Sequence, residues 1–191
     1  MVVGKPNKRV RLDAASWERA ALAAIARAGL SSVAVEPLAA ELGVSKGSFY
    51  WHFADRRALV TAALARWERA ETVDVMAALD QLQRPHERMA EVLRAGLSGE
   101  LGGAVDAALL ADAGDPLVAP VLLRVTAARL RYTTKLFAAL GFGRAQAHQR
   151  ALLAYAAYVG HFALQRAAPS LLPRSAGARA YAEHVIAALL P

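Results

Sequence analysis

Residues 38–53 read Leu38-Ala39-Ala40-Glu41-Leu42-Gly43-Val44-Ser45-Lys46-Gly47-Ser48-Phe49-Tyr50-Trp51-His52-Phe53, and they decide how the rest of the chain is understood. Leu38, Ala39 and Leu42 fall on one face of a short helix, Gly43 ends it, and Ser45 is placed to cap a second short helix. At about 100° per residue, Phe49 and Phe53 project to one side of that second helix, with Val44 just before it. Gly47, Ser48 and Trp51 project to the other. A helix this short is unstable alone, so its apolar side must dock on its predecessor. What remains outside is small, polar and aromatic, which is the geometry of a helix-turn-helix whose second helix enters a DNA major groove. An ordinary hairpin inside a helical bundle would need neither the Gly/Ser punctuation nor Tyr-Trp-His on its solvent side.

The run Gly43-Val44-Ser45-Lys46-Gly47, followed by Tyr50, His52-Phe53 and Leu59, closely resembles the DNA-binding motif of the TetR family of bacterial transcriptional regulators. The resemblance implies that Lys46, Ser48 and Trp51 face bases and phosphates in the groove, while Tyr50, His52 and Arg56 bind backbone phosphates. Ser45 and Gly47 complete the candidate DNA-binding set. Helical geometry agrees for Ser48 and Trp51 and gives Tyr50 a flanking position. Two positions depart from the family pattern. Ala34 stands where a Thr or Ser usually caps the first helix, a loss of about 1 kcal/mol that Ser32 or the Glu36-Pro37 first turn would partly offset. Arg56 stands where Lys is usual and keeps the charge.

The 191-residue chain is 56% hydrophobic, rich in Ala, Leu and Arg, and shows no sustained period-2 alternation, so an all-α fold of about nine helices is expected. It contains no cysteine, which excludes disulfides, thiolate metal sites and cysteine nucleophiles and suits a reducing cytoplasm. The net charge of +7 points to an anionic partner. Charge density is higher at the front, where residues 1–53 hold seven Lys/Arg against four Asp/Glu. The longest uncharged run, the fifteen residues between Arg150 and Arg166, is shorter than the roughly 20 a membrane span needs. No secretory signal is apparent, and a cytoplasmic location with no membrane partner is expected.

Residues 1–12 read as a flexible basic arm, with Lys5, Lys8, Arg9 and Arg11 available to phosphates or a minor groove, or simply solvated. Asp13 is placed to cap a first helix through Arg27, with Trp17 in its apolar stripe and Gly29 at its end. Residues 1–54 therefore form a DNA-binding unit. Residues 55–191 form a ligand-binding and dimerisation unit, entered by a long helix that Asp55 caps and that runs through Leu59, Trp67, Val73, Met76 and Leu79. No Gly/Ser linker separates the two, so they should be mechanically coupled. The glycine run at 99–103 lacks the Gly-Lys-Ser/Thr ending of a phosphate loop and reads as an inter-helix connection. Asp115-Pro116 signals another helix start, and Pro120 should kink that helix or delay its regular beginning. Leu136-Phe137, Leu140-Gly141-Phe142 and Tyr155 to Gly160 resemble the family's rear region less specifically; the motif-level likeness covers only about Asp13 to Val60.

Candidate lining groups of a rear-domain effector site are Trp67, Met89, Leu93, Leu109, Tyr132, Phe137, Tyr155, Tyr158 and Phe162, with His161 or Gln165 as the polar contact. Such aromatics serve equally as core. A small-residue stripe, Ala156, Gly160 and Ala163, and an apolar stripe, Tyr181, Val185, Ile186 and Leu189, predict a four-helix homodimer interface. A dimer calls for a palindromic operator on double-stranded DNA. The five histidines, His52, His86, His148, His161 and His184, are never paired at helical metal-ligand spacing. No catalytic residue, metal or cofactor is expected. The reading is a sequence-specific transcriptional regulator, a repressor released by a small hydrophobic effector. The alternatives are a constitutive DNA binder without an inducer and, from a different class, a helical-bundle enzyme.

Overall fold

The computed structural model describes residues 12–98, 103–173 and 176–190, and these are helical with no strand among them. The basic arm up to residue 11 and the connection at 99–102 lie outside the described residues. Helix α1 (Ala14–Ala28) begins as its sequence dictates: the Asp13 carboxylate accepts the Ser16 hydroxyl at 2.6 Å and the Ser16 N–H at 2.9 Å, bonds that hold its pKa below the ordinary carboxylate value. Gly29 ends it at φ 81°, and Gly43 adopts φ 67° between α2 (Val35–Glu41) and α3 (Lys46–Tyr50), both left-handed positions that suit glycine. Ala34 gives α2 no side-chain cap. Ser32 does not replace it, because its hydroxyl donates to the carbonyls of Ala24 (2.9 Å) and Gly29 (2.6 Å).

Helix α4 (Arg56–Glu68) is capped by Asp55, which accepts the Ala58 N–H at 2.7 Å. It continues through a π-helical turn at Arg69–Val73 into α5 (Asp74–Leu79), so the long rod expected from the sequence exists with one extra-wide turn inside it. Then follow α6 (Pro85–Ser98), α7 (Gly103–Ala111), α8 (Ala119–Ala139), α9 (Arg144–Ala167) and α10 (Ala176–Leu189). With α4 and α5 taken as one rod, the described residues form nine. Pro120 has the delaying effect expected of it: α8 starts at Ala119 with the proline in its first turn, while Asp115 turns back to accept the Leu117 N–H at 2.8 Å.

Two cores result. The first joins Trp17, Ile25, Leu38, Phe49, Leu59, Leu64, Trp67, Leu109 and Val125, with Trp17 edge-on to Phe49 at 5.3 Å. Each such side chain contributes about 1.5–3 kcal/mol through burial. This core crosses residue 55 without interruption: the front helices rest on α4 and α7, and the first half of α8 packs against α4. The second core holds Met89, Leu93, Leu136, Phe137, Ala147, Ala151, Ile186 and Leu189. That placement corrects the expected interface stripe: α10 lies against α6 and turns Ile186 and Leu189 inward, because a helix flanked by apolar α6 and α9 buries its most apolar side within its own chain. No described helix is long and apolar enough to cross a membrane.

Candidate DNA-reading face and rear cavity

Helix α3 buries Phe49 completely and Phe53 follows it into the core, which leaves the opposite side free. Ser45, Lys46 and Gly47 are exposed, Ser48 is half-buried, and Tyr50, Trp51 and His52 stand in solvent, Trp51 at 84% exposure. An indole left this bare on a protein with room for a core marks this side of α3 as a candidate contact face. Ser45 occupies the cap position of α3 without a side-chain bond, so its hydroxyl is available outward. Lys46 ion-pairs with Glu36 of α2, which raises the lysine pKa and lowers the glutamate's; the lysine stays a cation at the mouth of the reading face.

Arg56 differs from its expected role. Its Nε donates to the Val33 carbonyl at 2.6 Å and its Nη2 to the Leu30 carbonyl at 2.7 Å. The guanidinium fork therefore clamps the turn between α1 and α2 onto the start of α4. The same turn is held from the other side, where the carboxylate of Asp112, just past α7, accepts the Leu30 N–H at 2.8 Å. Neither contact is visible as a sequence period, since the partners lie 23 to 82 residues apart.

Behind the front unit, the π turn, α5, α6, α8 and α9 enclose a cavity of about 90 Å³, with Val185 of α10 at its edge. Its wall is mostly apolar, with Val75, Met76, Leu79, Val92, Leu93 and Leu97 and the rings of Tyr132, Tyr155 and Tyr158, and Glu71, Thr72, Arg129 and Thr133 supply its polar groups. Tyr155 and Tyr158 stack at 6.1 Å. Gly96 admits the Tyr158 ring closely, for a Cβ there would sit 3.3 Å from it. Beside the cavity lies a buried polar hub. Asp106 of α7, 3% exposed, accepts Trp67 Nε1 (2.8 Å) and the Tyr158 hydroxyl (2.6 Å) and ion-pairs with Arg129. Arg129 in turn donates through Nε to Thr72 Oγ1 and through Nη2 to the Glu71 carbonyl, each at 3.1 Å. The π turn thus has one of its displaced carbonyls satisfied by α8, which fixes the bulge in place. Burial raises the pKa of the Tyr158 phenol, and burial plus Asp80 pushes that of Tyr132 up to about 12.

Residues 19–63 match the model of the tetR family of bacterial regulatory proteins. That front stretch carries the family's sequence signature. Solved structures of the same fold include a transcriptional regulator from Rhodococcus sp. Rha1, at TM-score 0.75 and 20% identity over 93% of this chain and 94% of that one. Reduced NemR of E. coli superposes at TM-score 0.70 and 18% identity, covering 90% and 95%. FadR of Bacillus subtilis, solved in complex with stearoyl-CoA, superposes at TM-score 0.70 and 12% identity, covering 93% and 98%. No curated protein matches the sequence.

Of the eleven side chains expected to line a rear cavity, the structure brings four together there. Leu93, Tyr132, Tyr155 and Tyr158 line the cavity. Trp67 and Leu109 belong to the first core, and Met89 and Phe137 to the second. Phe162 is buried against Gly103, where a Cβ would overlap its ring. His161 and Gln165 lie instead on a separate surface groove beside α10, His161 stacked on Tyr181 at 5.8 Å with its pKa lowered by burial. The reading missed Glu71, Thr72, Asp106 and Arg129. One signal was present: Asp106 is the single charge in the otherwise apolar helix Gly103–Ala111, and a lone carboxylate there must find buried partners.

Proposed function

We propose that this chain is a TetR-type transcriptional regulator, a dimeric repressor that binds a palindromic operator through α3 and is released by a small molecule entering the rear cavity. The observation that carries the reading is the Asp106 hub. Asp106 joins two cavity-side groups, Arg129 and Tyr158, to α4 through Trp67 and to its own helix α7. The front ends of those two helices hold the Leu30–Val33 turn through Arg56 and Asp112. A ligand that displaces Tyr158 or Arg129 shifts both supports of the reading unit together. Because a dimer must hold its reading helices roughly 34–36 Å apart, a displacement of a few Å misplaces one of them. A preference of about 3 kcal/mol for the displaced state weakens operator binding more than a hundredfold.

Dimerisation is assigned to the outward face of α9. Leu152, Leu153, Ala156, Ala163 and Leu164 are exposed there, and a Cβ built at Gly160 meets nothing within 4 Å. Gly160→Leu is therefore expected to leave the single chain folded while weakening association, measured by sedimentation. The function is tested by selecting bound fragments from genomic DNA and screening small molecules for release. Release that Tyr155→Leu/Tyr158→Leu abolishes supports the reading; a bound fragment that no compound releases favours the constitutive binder.

A further inference from the structure

We propose that the rear cavity takes a hydrophobic organic cation, with the carboxylate of Glu71 as its counter-charge; this rests on the reading of the cavity as the effector site. Charge balance carries the argument. Arg129 is the one cationic side chain among the described lining residues, and each of its three nitrogens is engaged: Nη1 with Asp106, Nε with Thr72, Nη2 with the Glu71 carbonyl. Asp106 neutralises it. Glu71 lines the same cavity, half-buried, and among the described residues no hydrogen bond or ion pair reaches its carboxylate. Two carboxylates thus share one guanidinium, leaving a negative charge without a partner against an apolar wall. Burial and the nearby Asp106 raise the Glu71 pKa, as expected of an anion that lacks a cation.

The walls suit the same ligand. The stacked pair Tyr155 and Tyr158, with Tyr132 on α8, present aromatic rings to the space, and ring faces attract cations, most strongly where water is excluded. Arg129 already lies near the Tyr158 ring at 5.8 Å, so the aromatic wall accepts positive charge in the free protein. An anionic ligand would meet Glu71 and Asp106, with the one guanidinium among the described lining residues already paired. A neutral one would leave Glu71 as it is.

The test uses the full chain and three probes of matched shape: benzyltrimethylammonium, its uncharged carbon isostere neopentylbenzene, and phenylacetate. Each is titrated against the cavity-bound fluorescent dye N-phenyl-1-naphthylamine. The expected result is displacement by the cation at about tenfold lower concentration than by the isostere, with phenylacetate weakest. In Glu71→Gln the preference for the cation over the isostere should fall to within about twofold. Equal displacement by cation and isostere in the native chain, tightest binding by phenylacetate, or a preference that survives Glu71→Gln overturns the cation assignment while leaving the effector cavity in place. A dye that fails to bind, with none of the three probes binding by calorimetry, overturns the cavity reading and this proposal with it.

Discussion

The carboxylate of Asp112 accepts the backbone N–H of Leu30 at 2.8 Å, although 82 residues separate them. One end of the helix that carries Asp106 is thereby fastened to the turn on which α2 sits, in a part-buried setting where water does not readily replace the bond. Asp112→Ala is predicted to destabilise the fold by about 1–3 kcal/mol, because it strands the Leu30 N–H. Asp112→Asn, which keeps an acceptor oxygen, should recover most of the loss. Urea unfolding of the two variants measures both.

Arg56→Ala is predicted to act on stability first. The guanidinium serves two carbonyls, so its loss should cost about 1.5–3 kcal/mol and lower operator affinity through a loosened α1–α2 turn. If Arg56 is engaged in this way, the salt dependence of the remaining binding keeps its slope; a phosphate contact would instead reduce the slope by about one unit. Arg56→Lys keeps the charge but cannot span both carbonyls and should behave more like alanine than like the native chain. Anisotropy titrations at several salt concentrations, alongside thermal melts, separate these outcomes.

The contrast between the front and rear units explains what could be read from the sequence. The front is written in local signals: Asp13 and Asp55 cap, Gly29 and Gly43 turn, and Phe49 and Phe53 share a face with nothing but helical period to place them. Those signals act over a few residues, so they survive without knowledge of the fold. The rear is decided by which helix lies beside which. Whether Tyr158 or Phe162, one turn apart on α9, meets a cavity or a close-packed wall depends on Gly96 of α6 and Gly103 of α7, and no periodicity reveals that pairing. Ile186 and Leu189 were legible as an apolar stripe but not as belonging to an intrachain core, because the stripe is the same in either case.

Removing the carboxylate of Asp106 should be the most damaging single change outside the apolar cores. It would leave the Arg129 guanidinium, Trp67 Nε1 and the Tyr158 hydroxyl without their shared acceptor. Asp106→Ala is predicted to cost about 3–5 kcal/mol. The double change Asp106→Leu/Arg129→Met should be markedly less harmful than the single one if the penalty comes from the stranded charge. Denaturant midpoints of the two variants make the comparison.

Glu71 predicts a pH effect of opposite sign to the common one for carboxylates. Its pKa in the folded state is raised above the ordinary value of 4.5, so the folded protein holds that proton more tightly than the unfolded chain does. The resulting stabilisation is present at acid pH. It is lost as pH rises from the ordinary value through the raised one, and above that range the buried carboxylate is a standing penalty. Glu71→Gln should therefore melt at a higher temperature than the native chain at pH 7 and lose this advantage towards pH 4, which melts across that range record directly.

The most direct measurement of the central claim is selection of genomic fragments on the purified chain, followed by anisotropy titration of the enriched fragment with native protein and with Trp51→Ala. Trp51 is 84% exposed and outside both cores, so its truncation should leave stability within about 0.5 kcal/mol of native. The account predicts an enriched inverted repeat with half-sites about one helical turn apart, and at least about tenfold weaker binding by Trp51→Ala with an unchanged melting temperature. Enrichment of no common sequence, or equal binding by a well-folded Trp51→Ala protein, would contradict it.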